Sequence, residues 1–406
     1  MSYLAWLDHS EQQRRKMLDI IDLFREQETR DELGLGGIRD AFGDLLFPGT
    51  STVQTRARYF LFVPWMYSGL EAGRVSSADA AAKARREEVV LIEGLIAGGE
   101  KVGVIGSEAR QSLKRLPSSV YWQGLGSWEI RKFHGQQDQY HRSLDRYYRA
   151  AAAATRNDDG EPVDGILRRN WDHGLPAVPA GFPKSATFAL QEAEARYLVG
   201  RIDARHPDSL LAFLTGQRCA WEPCAFPWEH PATGELNPEL RGHLEHARLF
   251  SLSLHGAALL YNLLLAEKAA HGEWTEAYRE GLGEWAAEME EAEGALRRWD
   301  RDRFWQVVRR ANPAVTSRTQ SFVSDWLDMA LPPARAQDMR ESLKARALVR
   351  TREQVLKGEQ ARLQNQRALE RWNGAAGSGR ITYRWWRAER IALDILEGLG
   401  RGRKDA

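Results

Sequence analysis

The stretch RLPSSVYWQGLGSWEIRKF, Arg115 to Phe133, brings a helix start, several aromatic residues and a basic exit together in one short run. Pro117 separates two short helical segments, Ser107 to Leu116 and one from Ser118 or Ser119 onward, whose hydroxyl is suited to cap it. Trp128, Ile130 and Phe133 then alternate with Glu129, Arg131 and Lys132 as a half-buried strand would. Upstream, residues 78–97 read as a helix with a charged first half (KARREE) and an apolar second half (VVLIEGLIA), closed by Gly98 and Gly99. Three short helices followed by an extended segment have the order of a winged helix-turn-helix, in which one helix enters the major groove of DNA. The expected fold is therefore mainly α and multi-helical, with a small winged-helix-like element at about residues 78–134.

The remainder of the chain reads as helix. Ser10 and Gln13 have the spacing of a capping box, and Met17, Leu18, Ile20, Ile21, Leu23 and Phe24 follow as an apolar stripe ending near Gly34. The glycines of GLGGIRDAFGDLLFPGTST invite comparison with a phosphate-cradling loop. They lack the Gly-Lys-Ser/Thr ending of a P-loop and follow a helix rather than a strand, so a helix C-cap is the plainer reading. A helix is expected over TVQTRARYFLFVP, capped by Ser51 or Thr52 and bent or stopped by Pro64, with Arg56 and Arg58 beside aromatics. Another is expected from Tyr140 to Ala154, carrying Arg142, Arg146 and Arg149 close to one face.

Residues 155–184 are rich in Gly, Pro and Asp without a sustained period, which marks a connection. Helices resume at 185–204 and 208–215, at Asn237 to Ala270, and over Trp274–Trp299, Asp300–Arg310, Ser317–Ala330 and Pro333–Leu348; a basic helical hairpin, or a long helix plus a short terminal domain, follows from Arg350. The expected domains are 1–156, helical and carrying the winged part; 157–184, a connecting loop; 185–334, a central helical domain; and 335–406, a basic C-terminal segment.

Charge is distributed unevenly behind a net value of +1. Residues 101–150 hold nine Lys/Arg against four Asp/Glu, residues 335–406 seventeen against nine, and Glu273–Glu293 eight Glu with a single basic residue, Arg279. Basic blocks with interleaved aromatics suit nucleic-acid backbones and bases, and equally suit protein interfaces. The candidate binding residues are Arg56, Arg58, Lys114, Arg115, Arg131, Lys132, Arg142, Arg146, Arg149, Arg380, Arg384, Arg387, Trp385 and Trp386.

Other chemistry is thinly signalled. Cys219, Cys224 and His230 form an incomplete zinc set, and two cysteines in 406 residues exclude a disulfide framework. His243, His246 and His255 lie on the longest helix, and Glu276, Glu280, Glu284, Glu288 and Glu291 form a row on the next, but no metalloprotease HExxH is present. No catalytic residue, metal or cofactor is assigned. The opening MSYLAWLDHSEQQRRK has no apolar run of signal-peptide length, and Ala257–Ala266 is about half of a bilayer span. A cytoplasmic, membrane-free protein is expected.

The stretches DELGLGGIRDAFGDLLFPGTSTVQTRARYFLFVPWMY, RLPSSVYWQGLGSWEIRKF and YRWWRAERIALDILEGLG together resemble a bacterial family known as a domain of unknown function, across the whole chain. Members of that family tend to sit near genes for helicases, ATPases and phospholipase-D-like nucleases in phage-defence neighbourhoods. The resemblance implies a place in a defence assembly and brings no catalytic residues. The expected function is a non-catalytic subunit of a bacterial anti-phage defence or DNA-processing complex, binding nucleic acid, DNA first, or a helicase, ATPase or nuclease partner. A metal-dependent phosphodiesterase using the central His and Glu residues, and a pure interaction scaffold, are the alternatives.

Overall fold

A computed structural model describes residues 31–108, 113–153, 169–216, 224–331 and 333–400. The helix expected from Ser10 onward lies almost wholly outside these residues, as do Cys219 and Trp221. Fifteen α-helices are present among the described residues. They are α1 Gly36–Leu46, α2 Tyr59–Ala72, α3 Ala80–Ala97, α4 Pro117–Ser127, α5 Gln137–Ala153, α6 Glu192–Arg205, α7 Leu210–Gly216 and α8 Pro238–Lys268. The chain continues through α9 Gly272–Glu291, α10 Glu293–Arg298, α11 Arg301–Ala311, α12 Ser317–Ala330, α13 Leu343–Lys357, α14 Gln366–Leu369 and α15 Trp385–Gly398. The helices divide between two compact units, Gly43–Arg241 with Arg384–Ala406, and Met1–Phe42 with Gly242–Tyr383.

The first unit is built around α2. Nearly every side chain from Tyr59 to Tyr67 is buried, so the helix is apolar on all sides, as a central core helix must be. Pro64 was expected to bend or stop it; it does not stop the helix, which runs on to Ala72. One backbone hydrogen bond is lost at a proline, and burial of the surrounding aromatics outweighs that loss. The helix also begins later than Ser51, because side chains capture the preceding amides: the Tyr121 hydroxyl accepts from Thr55 and Arg56 N–H, and Asp394 accepts from Ala57 N–H. Around α2 pack α3 and α4, and α5 packs on α3.

No strand occurs among the described residues, and no wing forms. The WEIRKF segment turns at Glu129, whose φ is +52°, and makes a single antiparallel bridge, Arg131 to Trp171. Trp128 and Ile130 are both fully buried, so their alternation with polar residues reflects a turn held at two points. Trp128 stacks on Phe60 at 3.8 Å and donates its Nε1–H to Pro48 O at 2.9 Å. Gly49 (φ +79°) accepts this ring because a Cβ there would stand 2.3 Å from Trp128 Nε1.

In the second unit the long helix α8 is the core, and 89% of its most apolar window is buried. Trp285 of α9 and Trp326 of α12 donate their indole N–H groups to consecutive α8 carbonyls, Leu252 and Ser253, each at 2.9 Å. Gly256 lets the Trp285 ring approach; a Cβ there would lie 2.4 Å from it. On α13, Glu353 is fully buried and accepts from Tyr261 Oη at 2.6 Å and from Arg362 and Leu363 N–H at 2.8 and 3.0 Å. The expected single helix Trp274–Trp299 is two, broken at Ala292. The glycine-rich stretch before Ile38 is the start of α1, and the Asp31 carboxylate already sits on it, accepting from Leu35 and Gly36 N–H at 2.6 and 2.8 Å. The place where a phosphate would be cradled is thus filled by the chain's own anion.

Gly256→Ala drives a methyl group into the Trp285 ring and is expected to lower stability by about 1–3 kcal/mol. The check is the melting temperature of the full chain; an unchanged value would mean α8 and α9 part without cost.

Candidate nucleic-acid interface

The helix α5 carries the most exposed group of predicted basic residues, and a buried polar network fixes its position. Glu88 of α3, fully buried, accepts from Ser118 N–H at 2.8 Å and Ser118 Oγ–H at 2.6 Å at the start of α4. Ser118 Oγ in turn accepts from Gln137 Nε2 at 2.7 Å, at the first residue of α5. Gln137 also reaches the Tyr67 hydroxyl of α2. Burial pushes the Glu88 carboxyl up to about 7, and its bonds to Ser118 pull the other way. One turn along α5, buried Tyr140 donates to Glu71, which also accepts from Asn170 Nδ2 at 3.0 Å and Trp171 Nε1 at 3.1 Å. Burial likewise raises the Glu71 carboxyl. At the far end, Ser77 N–H donates to Asp145 at 3.0 Å. The contacts of Gln137 and Tyr140 therefore hold one side of α5 inward, and the bond at Asp145 fixes its exposed edge.

The outward side presents Arg142, Arg146 and Arg149, all exposed. At spacings of four and three residues they fall within about 60° of arc on the helix. Arg142 pairs with Asp138, Arg149 Nε donates to Asp145 O at 3.3 Å, and Arg146 has no polar partner among the described residues. Lys114 and Arg115, in the turn before α4, are also exposed and without a polar partner among the described residues. Arg85 of α3 donates to Leu113 O at 3.0 Å, so this turn lies against α3, on which α5 also packs. The exposed cations Lys114, Arg115, Arg142, Arg146 and Arg149 therefore share one helical neighbourhood.

The other predicted residues point inward. Arg56 pairs with Asp394 at 2.9 Å and lies 4.4 Å above the Phe188 ring. Arg58 pairs with Glu194 at 2.7 Å, both ends buried, and donates to Thr187 O. Arg131 is buried against carbonyls and over the Trp122 ring at 4.9 Å. Lys132 lies 3.1 Å from Glu129 and 3.7 Å from Asp172. At the chain's other end, Arg384 pairs with Asp44 at 2.8 Å and donates to Thr50 O, and Arg387 donates to Thr52 O at 3.1 Å while covering Trp386 at 3.6 Å. Trp385 is buried, donating to Cys224 O at 2.9 Å and packing on Phe47. In the second unit Arg380 pairs with Glu288 at 2.8 Å. The C-terminal cations expected to converge as an open surface are engaged with carboxylates, carbonyls and rings of the protein itself.

The central histidines serve packing. His246 Nδ1 accepts from Trp299 Nε1 at 3.0 Å, and His255 Nε2 meets Ser378 O at 3.1 Å. Among the described residues no group of three His, Cys, Asp or Glu is placed to hold a metal ion. Sequence reading missed the Glu88–Ser118–Gln137 chain and the approach of Arg201, Arg205 and His206 to residues 123–136. Both depend on contacts between distant segments, and no local spacing announces them.

The model of a family of unknown function (DUF6361) matches residues 1–398. No curated protein matches the chain, and no solved structure does.

Two outcomes follow. Arg58→Ala strands the buried Glu194 and should cost about 3–5 kcal/mol, whereas Arg146→Ala should stay within about 0.5 kcal/mol; thermal melts of the two variants compare them. For Glu88 the folded carboxyl titrates near 7, above its unfolded value, so the folded state holds the extra proton. Its contribution to stability should therefore decline as pH rises from about 4.5 to about 7 and be level above that range. Glu88→Gln should flatten the pH dependence of the melting temperature over that window.

Proposed function

We propose that this protein, a member of the DUF6361 family of unknown function, is a non-catalytic helical subunit of a bacterial anti-phage defence or DNA-processing assembly. It meets nucleic acid, DNA first, through the outward face of α5 and the adjoining Lys114–Arg115 turn, and works beside a helicase, ATPase or nuclease. The observation that carries this reading is the contrast within one set of residues. Arg142, Arg146 and Arg149 stand exposed in a row on a helix whose other side is tied down, with Lys114 and Arg115 exposed in the turn beside it, while Arg56, Arg58, Arg131, Lys132, Arg380, Arg384 and Arg387 are engaged with groups of the protein itself. A row of arginines on a rigid helix neutralises successive phosphates without reading bases. The defence setting is supported by the resemblance to a family whose members neighbour helicase, ATPase and nuclease genes.

A second reading, a scaffold for a protein partner, is favoured by apolar exposure on α13 of the other unit, where Leu343, Val355 and Leu356 are 82, 54 and 42% exposed. Scattered exposed apolar residues are ordinary on monomers, so this observation is the weaker one.

Replacing Arg142, Arg146 and Arg149 together by Glu should abolish most binding to short single- and double-stranded DNA at low salt. The dependence of log affinity on log salt should become shallower by about two to three, near 0.9 for each phosphate contact removed. Fluorescence anisotropy measures both. If the native chain binds neither DNA nor RNA at low salt, direct contact is excluded and the scaffold reading takes its place.

A further inference from the structure

We propose that the cleft of about 670 Å³ formed by the end of α4, residues 129–136 and the end of α6 is a binding site for a phosphomonoester. Its wall contains Arg131, only 8% exposed. The guanidinium donates through Nε to Trp122 O at 3.2 Å and through Nη1 to Phe133 O and Gly135 O. No carboxylate pairs with it, and Nη2 has no hydrogen-bond partner among the described residues. Nη2 lies beside Gly126 of the cleft lining, where a Cβ would stand 2.3 Å from it. A buried cation without a counter-charge is costly, and an anion entering the cleft would satisfy it.

The neighbourhood as a whole carries more positive than negative charge. Lys132, Arg201 and Arg205 share two carboxylates: Glu129, at 3.1, 3.5 and 3.2 Å, and Asp172, at 3.7 Å from both Lys132 and Arg201. With Arg131, four cations face two carboxylates, an excess of two positive charges. A phosphomonoester carries nearly that charge in the opposite sense at neutral pH. Ser127 Oγ and His206 Nε2, 2.9 Å apart on the same wall, add a hydroxyl that can turn its proton toward an oxyanion. The volume suits a nucleotide-sized group. The site is separate from the arginine row of α5 and does not depend on it.

The test is calorimetric titration of the full chain with inorganic phosphate and with AMP, beside anisotropy with oligonucleotides bearing a 5′-phosphate or a 5′-hydroxyl. Saturable phosphate binding is expected, together with a preference of roughly tenfold for the 5′-phosphorylated strand, the scale of one charge-assisted hydrogen bond. Arg205→Ala, at a half-exposed position, should weaken phosphate binding several-fold at an unchanged melting temperature, and Arg131→Lys should weaken it with a lowered melting temperature, because bonds to buried carbonyls are lost as well. Tighter binding of the phosphorylated strand than of AMP would assign the site to strand ends, and the reverse to free nucleotides. The α5 triple variant should keep its phosphate binding, so failure of the helical face and failure of the cleft are read separately. Absence of saturable phosphate binding, with equal affinity for the two oligonucleotides, would overturn the proposal.

Discussion

A single buried carboxylate, Asp394, determines how the first unit is put together. It is 2% exposed and accepts from Arg56 Nε at 2.9 Å, from Ala57 N–H at 2.8 Å and from Arg390 Nε at 2.9 Å. A carboxylate taken from water is tolerated only when such donors surround it. Those donors come from the loop before α2 and from α15 itself, so the last helix is locked to residues more than three hundred positions earlier. Where Asp394 holds α15, the helix also packs against α6 and α7. Arg56, which reads in the sequence as a hand for a ligand, is consumed by this closure.

The same reasoning separates what could be read from the chain from what could not. Helices with one apolar side and clear ends were legible: α3 and α12 lie within about two residues of expectation, and the buried stretch Ala257–Ala266 lies inside α8. Boundaries set by distant partners were not. The start of α2 depends on Tyr121 and Asp394 withdrawing amides from the helix, and the break at Ala292 lies in an otherwise continuous helical pattern. The apparent strand at Trp128–Phe133 illustrates the limit of period-two patterns, since a turn pinned by two buried side chains gives the same alternation.

For the candidate site, residue type was a poor guide and residue setting a good one. Arginine next to aromatics occurs at Arg56, Arg58, Arg131 and Arg387, and in each case the guanidinium lies over a ring of the protein itself. A flat, weakly hydrated cation packs well in an aromatic interior, provided its N–H groups find carbonyls or carboxylates. The arginines of α5 have no such enclosure, because the helix already fills its inner side with Tyr140 and Leu144. Spacing alone revealed that row, and it required only the helix to be correct.

The incorporation of α15 into a unit otherwise formed by residues 43–241 bears on how the protein is made. During translation the ribosome must deliver the entire intervening stretch before residues 385–398 emerge to close that unit. Until then the Arg56 guanidinium and the cradle for Trp385 await their partners, so the unit built mainly from residues 43–241 is completed only after residues 242–383 have left the exit tunnel.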